Sequence, residues 1–203
     1  MHIELHYLPS IEYMALAYAS PEVQFEVFEN FPKQTFRNRT RILGANGVEV
    51  LSIPIKHLSG SKQLAKDVQV DYTQDWIRRH KGAIQAGYGN APFYEHFEPF
   101  ISQIFAKKSK FLVDLNILCF NFLIKVLGKP LPYSFTESFE GNEIDSKWNQ
   151  IEAKSSWETR TFYTLTPYRQ CFGQKFEANL SVLDLVMNHG NESYDILMQS
   201  LNK

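Results

Sequence analysis

TFRNRTRILGANGVEVLSIPI, residues 35–55, is the stretch on which the fold class turns. Asn46-Gly47 sits between two β-rich runs, and both residue types tolerate positive φ, so the spacing predicts a β-hairpin. Side chains alternate faces along a strand. Arg37, Arg39 and Arg41 are therefore expected on one face, with Phe36, Asn38, Thr40 and Ile42 on the other. Three guanidiniums on one face repel one another unless something offsets them. Two readings stand side by side. One is a solvated sheet face with surface acids nearby. The other is a site for an anionic small molecule, because arginine forks match carboxylates and phosphates. Lys33, just upstream, would add to the second.

Working outward, residues 2–7 and 23–28 have strand composition, and Ser10 to Ala19 between them has helical spacing. That order predicts a βαβ start with parallel neighbours and a right-handed crossover. Downstream, VQVDY at 68–72 is a further candidate strand, and Ser59 to Lys62 a mobile loop. Thr73 reads as an N-cap, with Asp75 in the first turn, of a helix ending near Tyr88. Asn90-Ala91-Pro92 restarts a helix to about Lys107, and a third, 110–127, stops at Gly128. Residues 133–178 show no sustained periodicity, with strands expected only around Arg160 to Thr166. Two helices close the chain: 180–189, capped by Asn179 and ended by Gly190, then 192–202. The expected class is α/β (or α+β), as one domain over 1–203. A mixed sheet from the N-terminal half is packed by helices from the C-terminal half.

Composition narrows the function classes. With 21 basic and 22 acidic residues the net charge is -1, which argues against a general nucleic-acid binder. Cys119 and Cys171 are too few for a disulfide framework and lack metal-ligand spacing. A reducing, cytoplasmic setting is expected, the more so because the first residues show no signal-peptide pattern. The segment from Phe111 to Leu127 is shorter than the roughly 20 apolar residues of a membrane span. It also carries Asp114, Asn116, Asn121 and Lys125, so it reads as a core helix. No phosphate loop, dinucleotide fingerprint or zinc spacing occurs, so neither cofactor nor metal is expected.

Individual residues remain. Asp184 lies in LSVLDLVMN, a segment apolar on nearly every side, so its helix is expected to be buried. A buried carboxylate must be paired or hydrogen-bonded, and a ladder arginine is the expected counter-ion. A pair that fixes the helix to the sheet outweighs a catalytic acid as the reading. His80 follows Trp76 by four residues and shares its helix face. It is a candidate general base, although a hydrogen bond to a loop carbonyl is the commoner use of such a residue. Cys171 is a candidate nucleophile with no neighbour in sequence to lower its pKa. Cys119 belongs to the core, and His2 and His6 are expected to flank it.

Four patches together resemble the WbqC-like family, whose members are associated with bacterial surface-polysaccharide (O-antigen) gene clusters. The first is Tyr7-Leu8-Pro9 with Tyr13. The second is Phe36 to Ile42 followed by Asn46-Gly47 and Leu51-Ser52-Ile53-Pro54. The third is Trp76, Arg79-His80, Tyr88 and Ala91-Pro92-Phe93-Tyr94. The fourth is Tyr168, Gln170, Phe176, Asn179 to Leu185 and Asn188-His189-Gly190. The chain departs from the family where a Gln-Pro falls on Glu4-Leu5 and where the Gly before Tyr13 is Glu12. The family's Tyr-x-Ser-Gly-like element has no match between about Ser134 and Arg160, as in a shortened, divergent branch.

The resemblance implies a transferase acting on an anionic donor or sugar intermediate. Arg37, Arg39, Arg41, Trp76, Tyr168 and Gln170 would bind it, and His80 or Asp184 would handle protons. The alternative is a non-catalytic binding or scaffold protein whose arginines hold the fold.

Overall fold

Residues 2–26 fold as the strand–helix–strand unit that their composition predicts. The computed structural model describes residues 1–56, 62–139, 146–164, 166–173 and 175–201. The loop expected at Ser59 to Lys62 falls, Lys62 apart, outside them. Strands β1 (His2–Glu4) and β2 (Val23–Glu26) run parallel, Ile3 opposite Phe25, and helix α1 (Ile11–Tyr18) connects them. Ser10 caps α1 by accepting the Tyr13 N–H. Asn179, expected to cap a different helix, accepts the Glu12 N–H at 3.0 Å instead.

The hairpin forms as strands β3 (Arg39–Gly44) and β4 (Gly47–Ser52), antiparallel with Thr40 opposite Leu51. Its two turn residues are Ala45 and Asn46, one position earlier than the sequence suggests, and Gly47 takes the positive φ of 109°. A glycine there closes the turn without the steric cost that a Cβ would bring. Among the described residues the hairpin is a sheet of its own, so the strands form two sheets and not one. VQVDY contributes isolated bridges only, Val70 to Ile55 and Gln69 to Phe111.

Helix α2 (Trp76–Tyr88) buries Trp76, His80, Ile84, Gly87 and Tyr88, a stripe at helical spacing that faces the hairpin. Thr73 does not cap it, because the helix begins only at Trp76; its N–H and hydroxyl donate instead to the Asp71 carboxylate, at 2.9 and 2.7 Å. Asp75 takes the N-cap position. Helix α3 (Tyr94–Ala106) and helix α4 (Leu112–Leu127) follow, and α4 ends on Gly128 at φ 69°.

Three of the four polar residues that argued against a membrane span have partners in the protein. Asn116 donates to the Arg37 carbonyl, Asn121 to the Tyr133 hydroxyl, and Lys125 lies over the Phe100 ring. Among the described residues no helix is long and apolar enough to cross a membrane.

Strand β5 (Tyr133–Phe135) then pairs parallel to β2, giving the order β1-β2-β5. Phe25 packs edge-on against Phe120 of α4 at 5.0 Å between ring centres, seating the sheet on that helix. Burying such a ring contributes about 1.5–3 kcal/mol. Among the described residues the strands expected around Arg160 to Thr166 reduce to one bridge, Tyr163 to Leu201. Helices α5 (Val182–His189, capped by Ser181) and α6 (Ser193–Gln199) complete the chain, and α5 is buried along most of its length.

Candidate functional site

The four patches singled out in the sequence meet at Tyr7-Leu8-Pro9, the turn between β1 and α1. The Leu8 carbonyl accepts both the Thr40 hydroxyl, at 2.7 Å, and the Ser181 hydroxyl, at 2.8 Å. The Pro9 carbonyl takes the Val182 N–H, and the Arg41 carbonyl takes the Ser181 N–H, each at 2.8 Å. The Tyr7 hydroxyl reaches Nδ1 of His80 at 3.0 Å. Leu8 holds this junction in a left-handed backbone, φ 41°, a conformation that its surroundings must enforce.

His80 is enclosed there. Its Nε2 lies 3.2 Å from the Ser52 carbonyl, which can only accept, so Nε2 carries the proton and Nδ1 accepts from Tyr7. Burial pushes the imidazole down to about 4. The ring of Trp76 packs edge-on against it, 4.9 Å between centres.

Asp184 meets no arginine. Its Oδ2 accepts the Tyr168 hydroxyl at 2.6 Å and the Gln170 Nε2 at 3.1 Å. Burial raises its pKa, against hydrogen bonds from Tyr168, Gln170 and Tyr88. Gln170 is held in place by the Glu177 backbone, whose carbonyl and N–H each bond its amide at 2.9 Å. Three sequence candidates thus form one network beside a cleft of about 330 Å³ lined by Arg169, Gln170, Cys171, Phe172, Asn188 and His189. Arg169 is exposed at its rim. The Cys171 thiol donates to Asn188 Oδ1 at 3.2 Å, and burial, then the Asp184 charge, pushes its pKa up. That is the opposite of what a thiolate nucleophile needs.

The arginines part company. Arg37 precedes β3 and is buried, its Nε and Nη2 forked onto the Glu29 carboxylate. Arg39 and Arg41 stay in the strand and are half-buried, and the Arg39 Nε has no hydrogen-bond partner among the described residues.

Arg37 belongs to a cluster that pattern reading missed, at the carboxyl end of the parallel sheet. Glu4, His6, Glu26 and Glu29 are each 1% exposed. Burial raises the pKa of Glu4, but the His6 hydrogen bond and charge, with Arg37 and the Asn149 N–H, hold it down to about 2. Burial pushes His6 down. Ordinary alternation would have faced some of these acids outward. The available signal was their number: five glutamates fall in or beside two short strands and the helix between them, at positions 4, 12, 22, 26 and 29. Among the described residues no group of His, Cys, Asp or Glu could hold a metal ion.

Comparison with known proteins agrees with the patches. The WbqC-like protein family matches residues 5–156 and 132–196. An uncharacterized protein of Mycobacterium tuberculosis, Rv1507c, is 22% identical over 225 residues, covering 96% of this chain and 95% of its own length. No solved structure matches.

Proposed function

This chain belongs to the WbqC-like protein family, and on that premise we propose that it is a cytoplasmic transferase of bacterial surface-polysaccharide biosynthesis. It would bind an anionic donor or sugar intermediate in the cleft beside Asp184. One observation carries the reading: Gln170, which shares Asp184 with the Tyr168 hydroxyl, lines a cleft that also holds the exposed Arg169. Arg169 suits a phosphate or carboxylate. Asp184 is buried and does not touch the cleft itself. It is the proton acceptor behind the cleft wall, its Oδ2 bound to the Tyr168 hydroxyl and to Gln170, the residue of the three that lines the cleft. The raised pKa of Asp184 fits that task.

A thermal-shift series with nucleotide sugars, acyl donors and simple phosphates tests this. A ligand at about 100 times its Kd stabilises by about 2.7 kcal/mol, roughly 5–10 °C for a chain of this size. The shift is expected in the wild type and in Asp184→Asn, and is lost in Arg169→Ala. No shift with any of these classes sinks the reading.

A second reading, a non-catalytic binding or scaffold protein, is favoured by the fork of Arg37 on Glu29 and by the engagement of both His80 nitrogens. It gains if Arg39→Ala melts far earlier than the wild type while no ligand stabilises either.

A further inference from the structure

We propose that a second ligand cleft lies at the carboxyl end of the parallel sheet and takes a neutral, polyhydroxylated ring of the sugar class. Phe28, Asn30 and Pro32 follow β2 directly, and Phe139, Trp148 and Asn149 face them across a cleft of about 330 Å³. In open parallel sheets ligands sit outside the carboxyl ends of the strands, and this volume is that of a small-molecule pocket.

The walls are fixed from below by buried charge. Trp148 Nε1 donates to Glu29, Arg37 Nη2 donates to Asn149 Oδ1 at 2.9 Å, and the Asn149 N–H donates to Glu4 at 2.8 Å. Asn149 adopts a left-handed backbone, φ 57°. Asparagine tolerates that conformation, and the bonds from its N–H to Glu4 and from Arg37 to its Oδ1 hold it there. Trp148 and Asn149 are therefore pre-oriented before any ligand arrives, which lowers the entropic cost of binding.

Charge and shape select the ligand. Arg37 is spent on Glu29, its Nη2 standing 2.6 Å from Glu29 Oε2, so the floor offers an anionic ligand no free guanidinium. Phe139 stands at 81° to Trp148 with ring centres 5.2 Å apart, and it is 45% exposed. Perpendicular rings make a corner with one stacking face, not the two-sided slot that sandwiches a flat base. A sugar ring offers that corner its C–H face. Its hydroxyls point to the side-chain amides of Asn30 and Asn149, whose nitrogens make no hydrogen bond among the described residues. Sites built to meet hydroxyls discriminate sharply against ligands that lack them.

The indole N–H signal of Trp148, assigned by its disappearance in Trp148→Phe, reports the cleft in a two-dimensional NMR titration. The probes are methyl glycosides of glucose, galactose, mannose and N-acetylglucosamine, their disaccharides, and uridine. A glycoside should shift that signal saturably while leaving the Trp76 indole in place. Phe139→Ala, at an exposed position, should weaken binding about tenfold. Tighter binding of a disaccharide assigns the ligand to a glycan end, and tighter binding of the monosaccharide to a free sugar. A response to uridine alone, or none to any sugar, overturns the proposal. Arg169→Ala alters only the cleft beside Asp184 and should leave this titration unchanged, so the two sites stand or fall separately.

Discussion

The guanidinium of Arg160 meets the carboxylate of Glu12 at 2.7 Å across 148 positions of chain. The Glu12 side chain is 0% exposed and that of Arg160 8%. Asn179 completes the pair by donating to the same Glu12 oxygen at 2.9 Å, and Arg160 Nε donates to the Gln150 carbonyl at 3.0 Å. The pair and Asn179 thus clasp the segment that ends at Arg160 to α1 and the core.

Arg160→Ala leaves a buried carboxylate without its counter-ion and is expected to cost about 3–5 kcal/mol. Removing both partners, Glu12→Gly with Arg160→Ala, should cost less than the two single changes added together, with a coupling of about 0.5–3 kcal/mol. Urea unfolding of the four proteins measures this. Strict additivity would show that the pair does not clasp the segment.

His80 should govern stability between about pH 6.5 and 4. Unfolded, the imidazole takes up a proton below 6.5, whereas in the fold it stays neutral down to about 4. In that window the unfolded chain binds more protons, so stability falls as pH falls, by on the order of 3 kcal/mol in total. His6, pushed down as well, acts in the same direction. Glu4, held down to about 2, extends the loss from its unperturbed 4.5 towards 2. His80→Gln keeps a donor for the Ser52 carbonyl and removes the titration. Its unfolding free energy should run flatter than the wild type's from pH 7 to 4, and a parallel curve refutes the assignment.

Gly87 is where α2 admits the hairpin. A Cβ there would stand 2.5 Å from the Leu43 carbonyl oxygen, and the neighbouring Tyr88 hydroxyl accepts the Leu43 N–H at 3.2 Å. Gly87→Ala pushes backbone against backbone, so we expect a loss of about 1–3 kcal/mol despite alanine's better helix propensity. Gly82, on the same helix with nothing within 4 Å of a Cβ, is the control. Gly82→Ala should stabilise by up to about 1 kcal/mol. Chemical denaturation of both variants decides, and equal effects at the two positions would refute the close approach.

Local signals that span several residues were legible in the sequence. Asn46-Gly47 marked the hairpin to within one position, and the apolar run of α4 carried its own stop at Gly128. Strand β5 was not legible, because three residues paired on one side only leave no periodicity to detect. The candidate site divides in the same way. Asp184 was flagged by its apolar surroundings, but its partners Tyr168 and Gln170 come from an irregular segment. No pattern could separate them from an arginine as the charge's company. Arg37 reached Glu29 because the chain leaves strand geometry before Arg39, and alternation says nothing outside a strand.

Cys171 supplies a test of the field that Asp184 sets up. Burial and then the Asp184 charge push its thiol above the ordinary value of 9, while burial alone pushes Cys119 up to about 12. At pH 7 the native protein should therefore react with iodoacetamide at one cysteine only, more slowly than a free thiol, since the thiolate is the nucleophile. Unfolding should release both cysteines to ordinary reactivity. Asp184→Asn removes the charge while keeping a hydrogen-bond acceptor for Tyr168, so alkylation of Cys171 should speed up and its pH profile move down. Cys119 stays silent because its burial is untouched. Mass spectrometry of the alkylated peptides separates the two sites. If Cys171 in Asp184→Asn reacts no faster than in the wild type, Asp184 does not hold that thiol protonated, and the charge assigned to the cleft wall is wrong.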